Sequence, residues 1–165
     1  MIILQEDSSY ILLENTSVLL SEDELMAFRT ILGTAYRQAH DICTSLVKYV
    51  TDVRDLSNAG PISGNVAIAL HERVIADRAR LIAIRDLPGI GNYAKAQEDD
   101  PTYDVGAEFN TVVAAVEATR DWLITNVNTG SWVTFAVGGV STKTFSSAAT
   151  AGLRTQLDAL IATIA

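Results

Sequence analysis

The sequence predicts a mainly α protein: an antiparallel bundle of about four helices with a long first helix, an N-terminal β-arm and a β-hairpin before the last helix. Three observations predict it. First, Leu25, Phe28, Leu32, Ala35, Ala39, Ile42, Leu46, Tyr49, Val53 and Leu56 advance by alternating steps of three and four. That is the spacing of one helix face packed along its length. Second, later stretches repeat the helical spacing, and the breaks between them let successive helices run antiparallel. Third, 165 residues with 48% apolar content suffice to bury a core without disulfides, so one domain is expected over 1–165.

Residues 1–20 favour strand. Ile2–Leu4, Tyr10–Leu13 and Val18–Leu20 are short β-prone runs, parted by polar breaks at Glu6–Ser9 and Glu14–Ser17. Such an arm is not stable alone and must pack on the bundle or add to a neighbour's sheet. The long helix is expected from about Ser21 to Ser57, about 50 Å at 1.5 Å per residue. Ser21 and Glu24 have the spacing of a capping box, and Glu22, Asp23 and Glu24 suit the helix dipole. Gly60 permits a left-handed cap and Pro61 forbids continuation. The seam fits equally a bundle within one chain and a coiled coil between chains.

A second helix is expected from Gly64 or Asn65 to Asp86. Val66, Ala67, Leu70, Val74, Leu81 and Ile84 form its apolar stripe, flanked by Ile68, Ile75 and Ile82, so much of it should be buried. Arg73, Arg78, Arg80 and Arg85 lie between, with Glu72, Asp77 and Asp86 as counter-charges. Leu87 to Asp104 reads as the longest break, stopped by Pro88, Gly89, Gly91 and Pro101. A third helix follows over about Val105–Asn126, with Phe109, Val112, Val113, Val116, Leu123 and Val127 marking its face. The hairpin, within residues 131–145, pairs Trp132–Val137 with Val140–Phe145 across Gly138-Gly139, which tolerates positive φ. The last helix starts after Ser146-Ser147, with a stripe of Leu153, Leu157, Leu160, Ile161 and Ile164.

The charge limits the function. A net charge of −8 and a pI of about 4.6 weigh against nucleic acid and anionic membranes, since phosphate binding needs clustered cations. No apolar run reaches the roughly 18 residues that span a bilayer. The first residues lack the basic and apolar order of a signal peptide. One cysteine, Cys43, excludes an intrachain disulfide.

Several motifs invite a chemical reading. Leu87-Pro88-Gly89-Ile90-Gly91-Asn92-Tyr93-Ala94 resembles the hairpin of helix-hairpin-helix DNA-binding modules. The residues after it turn polar, then acidic, and are broken by Pro101, which opposes a phosphate site. Gly89 and Gly91 do not have P-loop spacing. His40 and Cys43 share a helix face, but a nucleophile needs an orienting group and a metal needs more ligands. His71-Glu72 lacks a second histidine four residues on. Glu98, Asp99, Asp100 and Asp104 lack the alternating spacing of a calcium loop. No catalytic, cofactor or metal residues are therefore expected, and the chain reads as a non-enzyme.

Residues 120–164 suggest a family. Arg120-Asp121-Trp122-Leu123-Ile124-Thr125-Asn126 ends a helix, a hairpin follows, and an Ala/Leu-rich stretch then runs from Phe145 through Leu153, Leu157 and Leu160 to Ile164. This resembles small structural proteins of tailed-bacteriophage virions. The long helix and element order also look like adaptor proteins that form rings between portal and tail, a likeness of architecture. The resemblance implies a virion component without enzymatic activity, made in the host bacterial cytoplasm and present in several copies. A head-to-tail connector ring is favoured, with a tail or baseplate component as the alternative. Its partners would be copies of itself and other virion proteins, with no membrane. Tyr10 and Leu12 of the β-arm, and Trp132 and Phe135 of the hairpin, would then be docking residues. Arg73, Arg78, Arg80 and Arg85 could meet the acidic Glu98, Asp99 and Asp100 of a neighbour in a head-to-tail contact. A DNA-binding module built on Leu87–Ala94 is the reading from another class.

Overall fold

A computed structural model describes residues 10–12, 19–99, 102, 105–128, 132–137 and 140–165. The protein is mainly helical. Strand β1 (Tyr10–Leu12) pairs antiparallel with β2 (Leu19–Ser21). The expected strand at Ile2–Leu4 and the turn near Glu14–Ser17 lie outside the described residues. Helix α1 then runs from Glu22 to Ala59, about 57 Å. Its capping box is formed: the Ser21 hydroxyl accepts from Glu24 N–H at 3.3 Å, and Glu24 accepts from Ser21 N–H at 2.8 Å.

The end of α1 differs from expectation. Gly60 sits at φ 165°, ψ −171°, extended backbone that any residue adopts rather than a left-handed cap. Pro61 then forbids another turn. Residues 61–63 run beside strand β4 (Val140–Phe145), which pairs with β3 (Trp132–Val137). Phe145 N–H donates to Ile62 carbonyl at 2.7 Å, and Ser63 bridges Thr144.

Helix α2 spans Gly64–Arg85, capped by the Ser63 hydroxyl. The segment after it is not the long break expected. Helix α3, Ile90–Gln97, forms within it. Gly89 makes the reversal at φ 81°, a left-handed geometry that glycine enters without a Cβ clash. Ile90 and Ala94, four apart, are buried, and Phe28 and Leu32 of α1 lie within 3.4 Å of where a Cβ on Gly89 would sit. Burial on α1 outweighs the breaker signal of two glycines and a proline. Helix α4 covers Val105–Asn128 and α5 covers Ser147–Ile164, capped by Ser146.

The long helices share one core. Helix α1 lies between α2 and α5, and so does α4. Cross-contacts give the directions. Arg73 of α2 reaches Ser45, while Ala83 and Ile84 lie across a cleft from Gln38. Arg154 of α5 bonds Ser57, while Ile164 lies across a pocket from His40. Both helices therefore run opposite to α1. Arg78–Glu117 and Arg85–Asn110 set α4 antiparallel to α2 in the same way.

The apolar seam is buried within the chain. Leu32, Ala35, Ala39, Leu46 and Val53 are in the core, with Phe28, Ile42 and Tyr49 packed against it. The far end departs from expectation: Leu56 is 54% exposed, while Tyr36, Val50 and Ser57 are buried. A strict three-four seam drifts by about 20° per seven residues on a straight helix, and the α5 contact draws in the adjacent row. Ile68 and Ile75 of α2 are likewise 47% and 42% exposed rather than buried flanks.

Candidate functional site

Two concavities collect the chemically capable side chains. The first, about 290 Å³, lies between α1, α4 and the end of α5. Ala39, Leu81, Phe109, Val112 and Ile164 line it with apolar surface, and His40, Cys43, Glu108, Thr111 and Thr163 add polar atoms. The Tyr36 ring meets His40 edge-on at 4.8 Å, and the Tyr36 hydroxyl donates to Glu98 Oε1 at 2.5 Å. Glu108 brings to His40 and Cys43 the third, acidic group that spacing along α1 does not supply. No sequence signal links it to them, because packing of α4 on the core provides the proximity.

The electrostatics oppose nucleophilic chemistry there. Burial pushes the Cys43 thiol above its ordinary value, and the Glu108 and Asp77 carboxylates push further in the same direction. An activated cysteine requires the reverse, a cation or helix N-terminus that favours thiolate. Among the described residues, no group of three or more His, Cys, Asp or Glu is placed to hold a metal ion.

The second concavity is a cleft of about 510 Å³ between α1 and α2, lined by Gln38, Asp41, Ile42, Ser45, Arg73, Asp77, Arg80, Ala83 and Ile84. Three of the four α2 arginines are held by partners of the same chain, Arg73 in this cleft and Arg78 and Arg85 against α4. Arg73 pairs with Asp77, donates from Nη2 to Ser45 at 2.7 Å and lies 5.6 Å from the Tyr49 ring centroid. Arg78 pairs with Glu117, its Nε donating at 2.7 Å. Arg85 donates to Asp86 at 2.8 Å and to Asn110 at 3.1 Å. The Arg85 guanidinium holds Asp86 below the usual carboxylate range. Arg80 differs: its side chain is 65% exposed, and its Nη1 stands 3.5 Å from Asp77 Oδ1.

Asp77, expected as one counter-charge among several, is fully buried. It is the residue that sequence reasoning missed. Its signal was present, since Asp77 continues the spacing of Leu70, Val74, Leu81 and Ile84. A carboxylate at such a position is costly unless paired.

The remaining interface candidates are dispersed. Glu98 and Asp99 are exposed at the end of α3, and Asp99 adopts φ 50°. Asp100 and Asp104 lie outside the described residues. Tyr10 and Leu12 stand opposite Ser21 and Leu19, while Trp132 and Phe135 stand opposite Phe145 and Thr142. The turn of Leu87–Ala94 joins α2 to α3, so the second helix required by a helix-hairpin-helix arrangement is present, but its Ile90 and Ala94 are turned into the core. Among the described residues, exposed large apolar side chains include Met26 and Ile31 on α1, Ile68 and Ile75 on α2, Leu56 and Ile124. No described helix is long and apolar enough to cross a membrane. No family model, curated protein or solved structure matches the chain.

Proposed function

We propose that this chain is a non-enzymatic structural subunit that assembles with copies of itself. The setting suggested by the C-terminal resemblance is a tailed-phage virion, as a head-to-tail connector ring contacting portal or tail proteins. A tail or baseplate position is the alternative setting. In this reading α1, α2, α4 and α5 form an antiparallel four-helix bundle that serves as a rigid body, and the hairpin and β-arm serve as docking elements.

One observation carries the reading. Met26, Ile31, Ile68 and Ile75 are exposed on the two consecutive helices α1 and α2, at 42–65% of their full surface. A contiguous exposed apolar patch marks a contact surface, and Ile68 and Ile75, seven residues apart on α2, share one outward face. Strand β3, paired only with β4 among the described residues, adds further backbone for pairing. Light scattering on the purified chain across a concentration series tests it. A discrete oligomer is expected, and a monomer at every concentration overturns the reading.

A DNA-binding role has one observation in its favour, the presence of α3 after the Gly89 turn. Fluorescence anisotropy with duplex DNA at low salt decides it. Binding that falls with salt and is lost in Gly91→Glu supports that role, and absence of binding removes it.

A further inference from the structure

We propose that the cleft between α1 and α2 is a binding site for a cationic nitrogen group, a guanidinium or a primary ammonium, held by Asp77 and Asp41. The central observation is Asp77 itself. Its side chain is fully buried at the cleft wall, yet Oδ1 accepts no hydrogen bond. Oδ2 is taken by Arg73, whose Nη2 donates to Ser45 and whose guanidinium lies beside the Tyr49 ring. A buried ionised oxygen without a hydrogen-bond donor costs more than a neutral one, so Oδ1, which has only the Arg80 ion pair at 3.5 Å, favours a partner with N–H groups.

The four charges that line the cleft, Arg73 and Arg80 against Asp77 and Asp41, balance, so the sign of the ligand follows from the acceptor-only carboxylate oxygens. Arg73 and Asp77 cancel as a pair. Across the cleft stands Asp41, an exposed carboxylate on α1, with the amide of Gln38 beside it. Arg80 faces mostly into water and reaches Oδ1 only at 3.5 Å without a hydrogen bond. It is a weak occupant that an incoming donor displaces. Ile42, Ala83 and Ile84 supply apolar wall for a short methylene chain. A guanidinium or ammonium on an aliphatic stem matches these features, because its N–H groups reach Oδ1 and Asp41 while the stem lies on the wall. The group belongs either to a free small amine or to a lysine or arginine of a second copy.

Isothermal titration with agmatine, which carries both nitrogen groups on a four-carbon stem, tests the site. Saturable binding is expected, weakened at least about tenfold in Asp77→Asn. Asp41→Asn, at an exposed position that leaves the fold intact, should weaken it in the same direction. Arg80→Ala should tighten it by removing the competitor, and more than Arg120→Ala on α4, which lies outside the cleft and changes the net charge equally. Absence of saturable binding, equal binding in Asp41→Asn, or weaker binding in Arg80→Ala overturns the proposal. Light scattering of the wild-type chain with excess agmatine separates the two sources. A fall in oligomer mass identifies a side chain of a second copy as the natural occupant, and binding with unchanged mass identifies a free amine. The site does not depend on self-assembly, so a monomer that binds agmatine overturns the proposed function and sustains the site.

Discussion

Cys43 shows at the scale of one residue how the fold sets chemistry. Its neighbours on α1 give it His40 at the spacing of a reactive pair. The pocket gives it apolar surroundings and the Glu108 carboxylate, and both favour the neutral thiol. Folding therefore raises its pKa above the ordinary 9.0. Two consequences follow in sign. Iodoacetamide labelling of the folded chain should rise only at higher pH than in the urea-unfolded chain, and a rate profile that rises earlier in the folded chain would contradict the geometry. By linkage, the contribution of this thiol to stability is fully present below pH 9 and is lost as pH climbs through the raised value. Asp77 makes the complementary point. Its burial on α2 requires Arg73, so a residue that resembles surface charge in composition acts as part of the core.

Among the helices, close approach decides the geometry. Tyr93 of α3 lies over Gly33 of α1, where an added Cβ would stand 2.5 Å from the tyrosine oxygen. Gly152 of α5 similarly admits the Trp122 ring of α4, with 2.9 Å from an added Cβ to Cζ2. Trp122 also meets Phe145 edge-on at 6.0 Å, so the ring has little room to retreat. Alanine at position 152 would gain helix propensity of about 1 kcal/mol against that contact. Valine adds bulk that the contact cannot take. Gly152→Val should destabilise the protein by about 1–3 kcal/mol, read from the urea midpoint with an unchanged slope. A gain in stability would mean that α4 and α5 are not held this closely. The same logic accounts for α3, where the left-handed Gly89 turn and two buried residues hold an eight-residue helix too short to persist alone.

For the whole molecule, the exposed apolar side chains of α2 decide between a lone globule and an assembly. Ile68 and Ile75 are seven residues apart and on one outward face. Neither fills the core of its own chain. The double substitution Ile68→Glu with Ile75→Glu should therefore leave the thermal midpoint within a few degrees of wild type while lowering the oligomer mass in light scattering. Loss of fold would show that these residues support the chain itself. An unchanged mass would move the contact surface elsewhere, to Met26 and Ile31 or to the sheet edges.

The sequence by itself determined the helices with a strong local signal. The capping box at Ser21, the period of α1 and the stripe of Leu153, Leu157 and Leu160 are properties of neighbouring residues, and local backbone physics reads them directly. Their ends were legible within a few residues for the same reason. Tertiary structure alone decided four things: that the seam closes on α2 and α5 of its own chain, that α3 forms amid breaker residues, that Leu56 faces water while Tyr36, Val50 and Ser57 do not, and which side chains share a concavity, Glu108 with Cys43 and Asp41 with Asp77. Each depends on partners far away in sequence. A helical period shows that a face will be buried, but which row goes deepest depends on how many neighbours pack on it. Similarly, a carboxylate on a stripe shows only that it must be paired, while the oxygen left open depends on where Arg73 is held.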